Sequence, residues 1–303
     1  MPRYIDKSSK EWDAISPEIA ILPLGSFEQH GSHLPLGTDI YLVEAIAGIV
    51  AERLNAFLLP AQPISTCYEH HGKRGSVHFE AGIFYEIIVK LVERLYGLGF
   101  NKVVILPGHG GIFVLEPAVR HINAVHPGKY TVVVDPYDTE CLRSETISAS
   151  TVNDVNEGDS SIGENNIGKQ GTASTVNDVN EGDSSIGENN IGKQGTASTV
   201  NDVNEGDSSS MVRYVGEDDI HSGDMETSLM LYLKPELVDM AKAVNYIPDK
   251  PRPYLNYGSI FTVSPGGVWG NAKQASAEKG KRIFEYSSEA TARKILDLFN
   301  ELT

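Results

Sequence analysis

The sequence predicts an α/β fold in which a mainly parallel sheet carries helices on both of its faces. Apolar runs of strand length alternate with segments whose apolar residues recur at the helical period, and glycine-rich loops follow two of the runs. This alternation is typical of right-handed βαβ units, which build a parallel sheet covered on both sides. Because 40% of the 303 residues are hydrophobic, the chain has enough apolar material for such a core.

Four strands and three intervening helices are predicted in order before residue 135. The strands cover residues 19–24, 56–59, 102–106 and 130–134, and the helices cover 40–54, 83–96 and 113–125. Thr38 or Asp39 is expected to cap the start of the first helix, and Gly97 and Gly99 to end the second. A further helix is expected at the apolar run 229–233.

The composition excludes several classes of partner. The net charge of −16 argues against a protein that binds nucleic acid or an anionic membrane through charge. Cys67 and Cys141 are too few for a disulfide framework, which favours a reduced compartment. The chain shows neither an apolar secretion segment nor a membrane-spanning run, so a cytoplasmic protein is expected.

Residues 149–209 consist of a tandem repeat with a period of 24 residues. Residues 149–172 recur unchanged as 173–196, and a partial third copy fills 197–209. The segment holds 11 acidic residues and 2 lysines and has few apolar side chains, a composition that does not offset its own ordering entropy. It is predicted to be a flexible acidic insertion in a single domain over 1–303. A short β-arcade or a binding element are the alternatives.

The loop between the first strand and the first helix, residues 25–39, combines two carboxylates and an imidazole. Glu28, His30 and Asp39 suit a divalent cation such as zinc, manganese or iron. His109 follows the third strand in a second glycine-rich loop. Because ligands collect at the carboxyl ends of parallel strands, the two loops are expected to converge. The alternatives are a helix cap for Asp39 and an incidental histidine at 109.

Three further histidines lie near these loops or in a second polar cluster. His221 and Glu226 belong to a dense run of polar residues at 221–228, for which a helix cap is the alternative. His70 follows the second strand and is expected to contact substrate. His33 is expected to support the first loop from outside the metal site.

Four motifs resemble those of the creatininase (creatinine amidohydrolase) family of metal-dependent hydrolases. They are LPLGSFEQHGSHLPLGTD at 22–39, GHGG at 108–111, HSGDMETSLML at 221–231 and PGGVWGNAKQASAEKG at 265–280. The resemblance covers most of the chain outside the insertion. It implies a three-layer α/β/α sandwich with a mainly parallel central sheet and one or two divalent ions at the carboxyl edge, zinc being expected before manganese or iron.

The resemblance also assigns residues. The positions that match the metal ligands of the family are Glu28, His30, Asp39 and His109, with Asp39 bridging. Creatininase itself has a further glutamate ligand where this chain has Gly111, so Glu226 is expected to complete a second metal site. His221 matches a histidine placed near the substrate.

Several positions depart from the pattern of the family. Pro107 and Ile112 replace asparagines found in many relatives, and residues 73–76 read KRGS in place of FPGT. These changes affect the expected substrate pocket. They leave residues 25–39, called the metal loop below, intact. The substrate is therefore open, creatinine included.

The expected reaction is hydrolysis of a non-peptide C–N bond in a small amide, cyclic amide or formamide. His221 or Glu226 would move the proton to the departing nitrogen, and the backbone amides of Gly110 and Gly111 would donate to the substrate. The alternatives are a metal-dependent peptidase and a non-catalytic metal-binding scaffold. A serine hydrolase and a nucleotide-binding protein are disfavoured because their glycine motifs are missing. The resemblance implies a homo-oligomer, specifically a hexamer.

Overall fold

The structure, a computed structural model, describes residues 8–12, 16–137 and 218–303. The predicted insertion at 149–209 and Cys141 lie outside these ranges. Within them, the central sheet has four parallel strands in the order β2-β1-β3-β4. The strands are β1 (Ile19–Leu24), β2 (Phe57–Leu58), β3 (Lys102–Pro107) and β4 (Tyr130–Val133). The four predicted strands and their parallel arrangement are therefore confirmed.

The second strand is shorter than the predicted range of 56–59. Its ladder pairs Phe57 with Ala20 and Leu58 with Ile21. The chain then reaches Pro60, which has no backbone N–H to donate to a further rung of the sheet. A separate antiparallel pair joins β5 (Asn245–Tyr246) to β6 (Gly270–Asn271).

Six α-helices occur in the described part of the chain. They are α1 (Ser9–Trp12), α2 (Thr38–Leu54), α3 (Ala81–Gly97), α4 (Leu115–Val125), α5 (Asp224–Leu233) and α6 (Ala277–Leu302). The long helix α6 is absent from the predicted set, although the side chain of Ser276 caps it by accepting from the Lys279 amide at 3.2 Å. No helix among the described residues is long and apolar enough to cross a bilayer.

The helices cover both faces of the sheet and complete a three-layer arrangement. Ile21, Val104 and Leu106 point to one face, where they share a buried cluster with residues of α2, α5 and α6. Leu22 and Ile105 point to the opposite face and pack with α3 and α4. Alternate residues of each strand thus enter different cores, as the pleat of a strand requires.

The predicted cap of α2 is wrong. Gly37 occupies the cap position of α2, and the helix has no side-chain cap. Thr38 donates to the carbonyl of Pro35 at 2.7 Å instead, and Asp39 lies in the first helical turn with a buried carboxylate that faces His30. A capping oxygen would have to turn back to its own helix, whereas both side chains are held by other partners.

The start of α5 is held by a residue outside the predicted cluster. The two carboxylate oxygens of Asp219 accept from the backbone N–H groups of Asp224 and Met225 at 2.9 and 2.7 Å. These are two of the donors that the first turn of a helix leaves without an internal partner. Asp219 thus fixes the position at which α5 enters the fold.

The contact between α5 and α6 depends on a glycine. A Cβ built on Gly280 of α6 would overlap the backbone carbonyl of Ser228 in α5. We expect Gly280→Ala to lower the free energy of unfolding by about 1–3 kcal/mol, because the clash is with backbone that has to move. The matched control is Gly82→Ala in the first turn of α3, where a Cβ would meet no atom within 4 Å. Thermal unfolding measures both, and an unchanged midpoint for Gly280→Ala would contradict this packing.

Candidate metal centre

Strands β1 and β3 bring the two predicted loops to one edge of the sheet. The strands are adjacent and parallel, and Leu24 pairs with Pro107 at their carboxyl ends. The loop after each strand consequently starts at the same edge. Nδ1 of His109 lies 3.2 Å from Oε1 of Glu28 and 3.4 Å from Oδ2 of Asp39. The convergence expected from the sequence is observed.

Helix α5 adds a third segment to this cluster. Nε2 of His30 lies 3.0 Å from Oδ1 of Asp39 and 3.8 Å from Oε2 of Glu226. Glu226 belongs to the first turn of α5, where its carboxylate accepts from the backbone N–H of Ser222 at 2.6 Å. The structure therefore places all five predicted metal ligands together, with Glu226 on the His30 side.

The potential ligand atoms form overlapping sets whose members lie within 4.8 Å of one another. One set contains Glu28, Asp39 and His109, and another contains His30, Asp39 and Glu226. A third set joins Glu28 and His30 to His221. Because the first two sets share Asp39, its two oxygens could serve two neighbouring ions.

The donor atoms fit a divalent cation. Oε1 of Glu28 and Oδ2 of Asp39 are buried, and the imidazoles of His70 and His109 that lie 3.1–3.4 Å from them do not form well-directed hydrogen bonds. A buried carboxylate oxygen needs either a hydrogen-bond donor or a cation as its partner. Contact with a cation does not require the narrow angle of a hydrogen bond. Mixed imidazole and carboxylate ligands are those that zinc, manganese and iron accept.

Other protein groups hold the candidate ligands in place. The Ser26 hydroxyl donates to Oε2 of Glu28 at 2.7 Å. Nδ1 of His30 donates to the Glu28 backbone carbonyl at 3.2 Å, which leaves Nε2 directed toward Asp39. Nε2 of His109 contacts Oε1 of Glu69 at 3.0 Å, which leaves Nδ1 directed into the cluster. A metal-binding imidazole is commonly oriented by such a partner on its other nitrogen.

The role of Glu69 was not predicted from the sequence. Glu69 directly precedes His70 in a short 3₁₀ segment after β2, and β2 adjoins β1 in the sheet. Its carboxylate reaches His109 through the space that Gly111 leaves open, since a Cβ at 111 would meet that carboxylate. The position of Glu69 after β2, at the same edge of the sheet as the two loops, is the feature of the sequence that could have indicated its place in the site.

Burial and neighbouring charges together shift the pKa values of the residues in this cluster. Burial acts to lower the pKa of His30, but the carboxylates of Asp39, Glu226 and Glu28 together outweigh it and raise that pKa to about 10. Burial also opposes protonation of His109, yet the Glu28 carboxylate raises its pKa well above the usual value. Burial raises the pKa of Glu226 to about 7, against the opposing effect of His30. Without a cation, protons on the imidazoles balance the carboxylates, and a divalent ion would displace those protons.

His221 is held as a neutral imidazole. Burial, and then the charges of His30 and His70, keep its pKa well below the usual value. Nε2 donates to the backbone carbonyl of Gln29 at 2.8 Å, since a carbonyl can only accept. Nδ1 is then the free acceptor nitrogen, and it lies 3.8 Å from Oε1 of Glu28.

Gln29 is a second residue that the sequence analysis missed. Its side-chain amide lies 3.1 Å from Nδ1 of His70 and donates to the carbonyl of Gly267 at 3.1 Å. Its side-chain oxygen accepts from the Gly31 amide at 3.0 Å. Gln29 thus ties the metal loop to the tail motif at 265–280.

His70 and His33 differ in their relation to the cluster. The buried His70 ring directs Nε2 to Oε1 of Glu28 at 3.1 Å, so both of its nitrogens face protein atoms. Nε2 of His33 lies 3.0 Å from the hydroxyl of Thr227 and contacts none of the candidate ligands. His33 therefore links the metal loop to α5 from outside the cluster.

A cavity of about 610 Å³ opens over the cluster. That volume falls in the usual range of small-molecule sites. Its inner wall contains the residues predicted to act on or bind substrate, namely His70, Gly110, Gly111, His221 and Glu226, together with Glu69 and His109. Tyr68, Phe113 and Arg252 belong to its outer wall and were not predicted.

A parallel sheet with this cluster and cavity at its carboxyl edge defines the class of metal-dependent α/β hydrolases. The family model of creatininase, creatinine amidohydrolase, matches residues 6–295. The chain therefore belongs to the creatininase family.

Relatives of this chain are named for different activities. Creatinine amidohydrolase of Pseudomonas putida is 24% identical over 93% of this chain and 90% of its own length. A mycofactocin precursor peptide peptidase of Mycolicibacterium smegmatis is 32% identical over 95% of this chain and 88% of its own. A 2-amino-5-formylamino-6-ribosylaminopyrimidin-4(3H)-one 5'-monophosphate deformylase of Methanococcus maripaludis is 35% identical over 35% of this chain and 48% of its own.

Solved creatininase structures share the fold. A manganese form has a TM-score of 0.65 at 22% identity and covers 97% of both chains. A variant described as the Zn-Zn type has a TM-score of 0.66 at 20% identity and covers 97% of this chain and 96% of its own. The three-layer α/β/α fold predicted from the sequence is thus confirmed.

Asp39 is the residue whose loss should affect both ligand sets. We expect Asp39→Ala to lose nearly all bound zinc or manganese after dialysis, because each of the two sets that contain Asp39 keeps only two ligands. The control is Glu52→Ala, which removes an exposed carboxylate from the same helix. Elemental analysis of the two purified variants measures the difference, and full metal content in Asp39→Ala would refute a shared ligand.

Proposed function

We propose that this protein hydrolyses a non-peptide C–N bond in a small amide, cyclic amide or formamide by means of bound divalent ions. The observation that carries the proposal is the pair of ligand sets that share Asp39 beside a cavity of small-molecule size. Zinc is the first candidate and manganese or iron the alternatives, because the ligands mix imidazole and carboxylate.

Five residues would hold the ions in this proposal. Glu28 and His109 would bind one ion, His30 and Glu226 a second, and Asp39 would bind both. When bound, such ions supply a water nucleophile with a pKa of about 7 and polarise the carbonyl of the amide.

The backbone on the cavity wall would position the substrate. The N–H groups of Gly110 and Gly111 would donate to the carbonyl oxygen, and the missing side chains let substrate approach the backbone. His70 would lie beside the substrate while its ring keeps Glu28 in place.

Cleavage of an amide also needs a proton at the departing nitrogen, and two residues could deliver it. If a single ion occupies the Glu28 set, Glu226 stays free, and burial, which raises the pKa of its carboxyl group, favours the protonated form that can donate. If the second ion engages Glu226, that role falls to His221, whose free Nδ1 would accept a proton from the attacking water and pass it to the departing nitrogen.

Peptide processing is the second candidate. It is supported by the relative from Mycolicibacterium smegmatis, which shares 32% identity along 95% of this chain. The cavity is open to solvent on the side of Phe113, whose side chain is 61% exposed, so a chain end could enter.

An activity screen of the metal-reconstituted protein separates the two candidates. Creatinine and other lactams, N-formyl compounds and short peptides would be compared at equal concentration. Faster turnover of a lactam or formamide than of any peptide is expected. Cleavage of peptides alone would favour the second candidate, and no turnover of any amide despite bound metal would refute both.

We expect His221→Asn to lower kcat by about 10²–10⁴ while zinc content stays near that of the wild type, because a proton-transfer residue contributes a factor of that size. The control is His121→Asn on the exposed side of α4, which should change neither quantity. Loss of metal together with activity in His221→Asn would instead indicate that His221 is a ligand.

Three further parts of the proposal come from the sequence. We infer a homo-oligomer from the family resemblance. We infer a cytoplasmic location from the composition and from the two cysteines, which are too few for a disulfide framework. We also infer that 149–209 is an insertion in a single domain, because its 24-residue repeats have few apolar side chains with which to build a core. Light scattering of the purified protein measures the oligomeric state.

A further inference from the structure

We propose that Arg252 binds an anionic oxygen group of the substrate, a carboxylate or a phosphate, positioned a few bonds from the amide that is cleaved. The inference rests on the proposed function, because it names the substrate class of the same site. It would make this protein a hydrolase of anionic amides or formamides.

The position of Arg252 places a cation next to the candidate metal centre. Arg252 begins a short 3₁₀ segment, residues 252–256, and lines the same cavity as His109 and Glu226. Its Nη2 lies 3.2 Å from the point where a Cβ of Gly110 would stand. Because Gly110 directly follows His109, the guanidinium lies beside the centre and within reach of a substrate whose amide is bound there.

The guanidinium of Arg252 has no carboxylate partner among the described residues. Glu69 directs its carboxylate to His109, and Glu226 accepts from the Ser222 amide, so the nearby acids are engaged with other groups. An arginine keeps its charge at all relevant pH values. The cavity thus contains a permanent cation to which residues 8–12, 16–137 and 218–303 supply no counter-charge.

The described acids of the cavity wall, Glu69 and Glu226, are engaged with other groups, so Arg252 is left as the cation for a substrate anion. Among the described lining residues Arg252 is the sole lysine or arginine. Tyr68 and Phe113 form an aromatic side of the cavity, with ring centroids 6.0 Å apart. Pro253 and Leu255 are also uncharged.

These features match the recognition of a planar or tetrahedral oxyanion. A guanidinium offers paired N–H donors whose spacing fits a carboxylate or a phosphate, and charged hydrogen bonds of this kind are stronger than neutral ones. The side chain is exposed in the free protein, so the bound substrate would cover it. A substrate whose anionic group lies too far from its amide could not bind Arg252 and the candidate metal centre at the same time.

The first test compares two formamides that differ only in charge, N-formylglycine and N-formylglycinamide, as substrates of the full-length, metal-reconstituted protein. For Arg252→Gln we expect KM for N-formylglycine to rise about tenfold or more, as for the loss of a charged hydrogen bond. KM for the neutral N-formylglycinamide and kcat for both should stay within about twofold of wild type by the same argument. Arg252→Lys should retain part of the selectivity.

The control Arg120→Gln makes the same change of charge at an exposed position on α4. It should leave both KM values unchanged. Metal content and the thermal midpoint of each variant would be measured as well, because a change in either would show an effect on the fold or the ions.

The second test needs no turnover. Acetate and inorganic phosphate would be titrated calorimetrically into the metal-reconstituted wild type, Arg252→Gln and Arg120→Gln. Anion binding directly to the ions is common to all three proteins, so a loss of about tenfold in Arg252→Gln alone would report the guanidinium. The tighter of the two anions identifies whether the natural group is a carboxylate or a phosphate.

The outcomes separate this inference from the proposed function. Turnover of both formamides with equal KM values in wild type and Arg252→Gln, and equal anion affinities, would overturn the role of Arg252 and leave the hydrolase proposal standing. Loss of anion affinity in Arg252→Gln without turnover of any amide by any protein would support the role of Arg252 as an anion site and refute the hydrolase proposal.

Discussion

The buried carboxylate of Asp39, held between two imidazoles, is the interaction on which the rest of the site depends. It contacts His30 at 3.0 Å and His109 at 3.4 Å, and these residues come from loops after two different strands. Asp39 itself lies in the first turn of α2, where the helix dipole favours a negative charge. A buried charge without compensation is strongly unfavourable, so this one carboxylate forces helix and loops into a common arrangement.

The whole cluster follows the same rule of charge compensation. The negative charge of the carboxylates is balanced only if imidazoles take up protons. The raised pKa values of His30 and His109 are consistent with such protonation. Divalent cations would perform that task without protons and would use the same oxygen and nitrogen atoms. Burying several charged side chains together lowers the free energy of unfolding. The arrangement is therefore best explained by a role in binding ions.

Chemistry and substrate choice occupy different parts of the cavity. The inner wall, made by the loops after β2 and β3 and by the start of α5, carries Glu69, His70, His109, His221 and Glu226, residues proposed to hold ions, move protons or orient those that do. The outer wall is made by Tyr68, Phe113 and Arg252, which lie on segments outside the metal motifs. Relatives of this chain are named for different substrates, namely creatinine, a precursor peptide and a formylamino pyrimidine, as expected when one fold supports several functions.

The sequence by itself determined the parallel strands, the two loops at their carboxyl ends and the residue types of the metal cluster, because these follow from local periodicity and from the spacing of Glu28, His30 and Asp39. Only the tertiary structure decided that Glu69 orients His109, that Arg252 lies over Gly110 and that α2 starts without a side-chain cap. Those features depend on packing between segments far apart in the chain. Local preferences act over a few residues, whereas a long-range contact is set by the total shape and charge of all the segments that meet there.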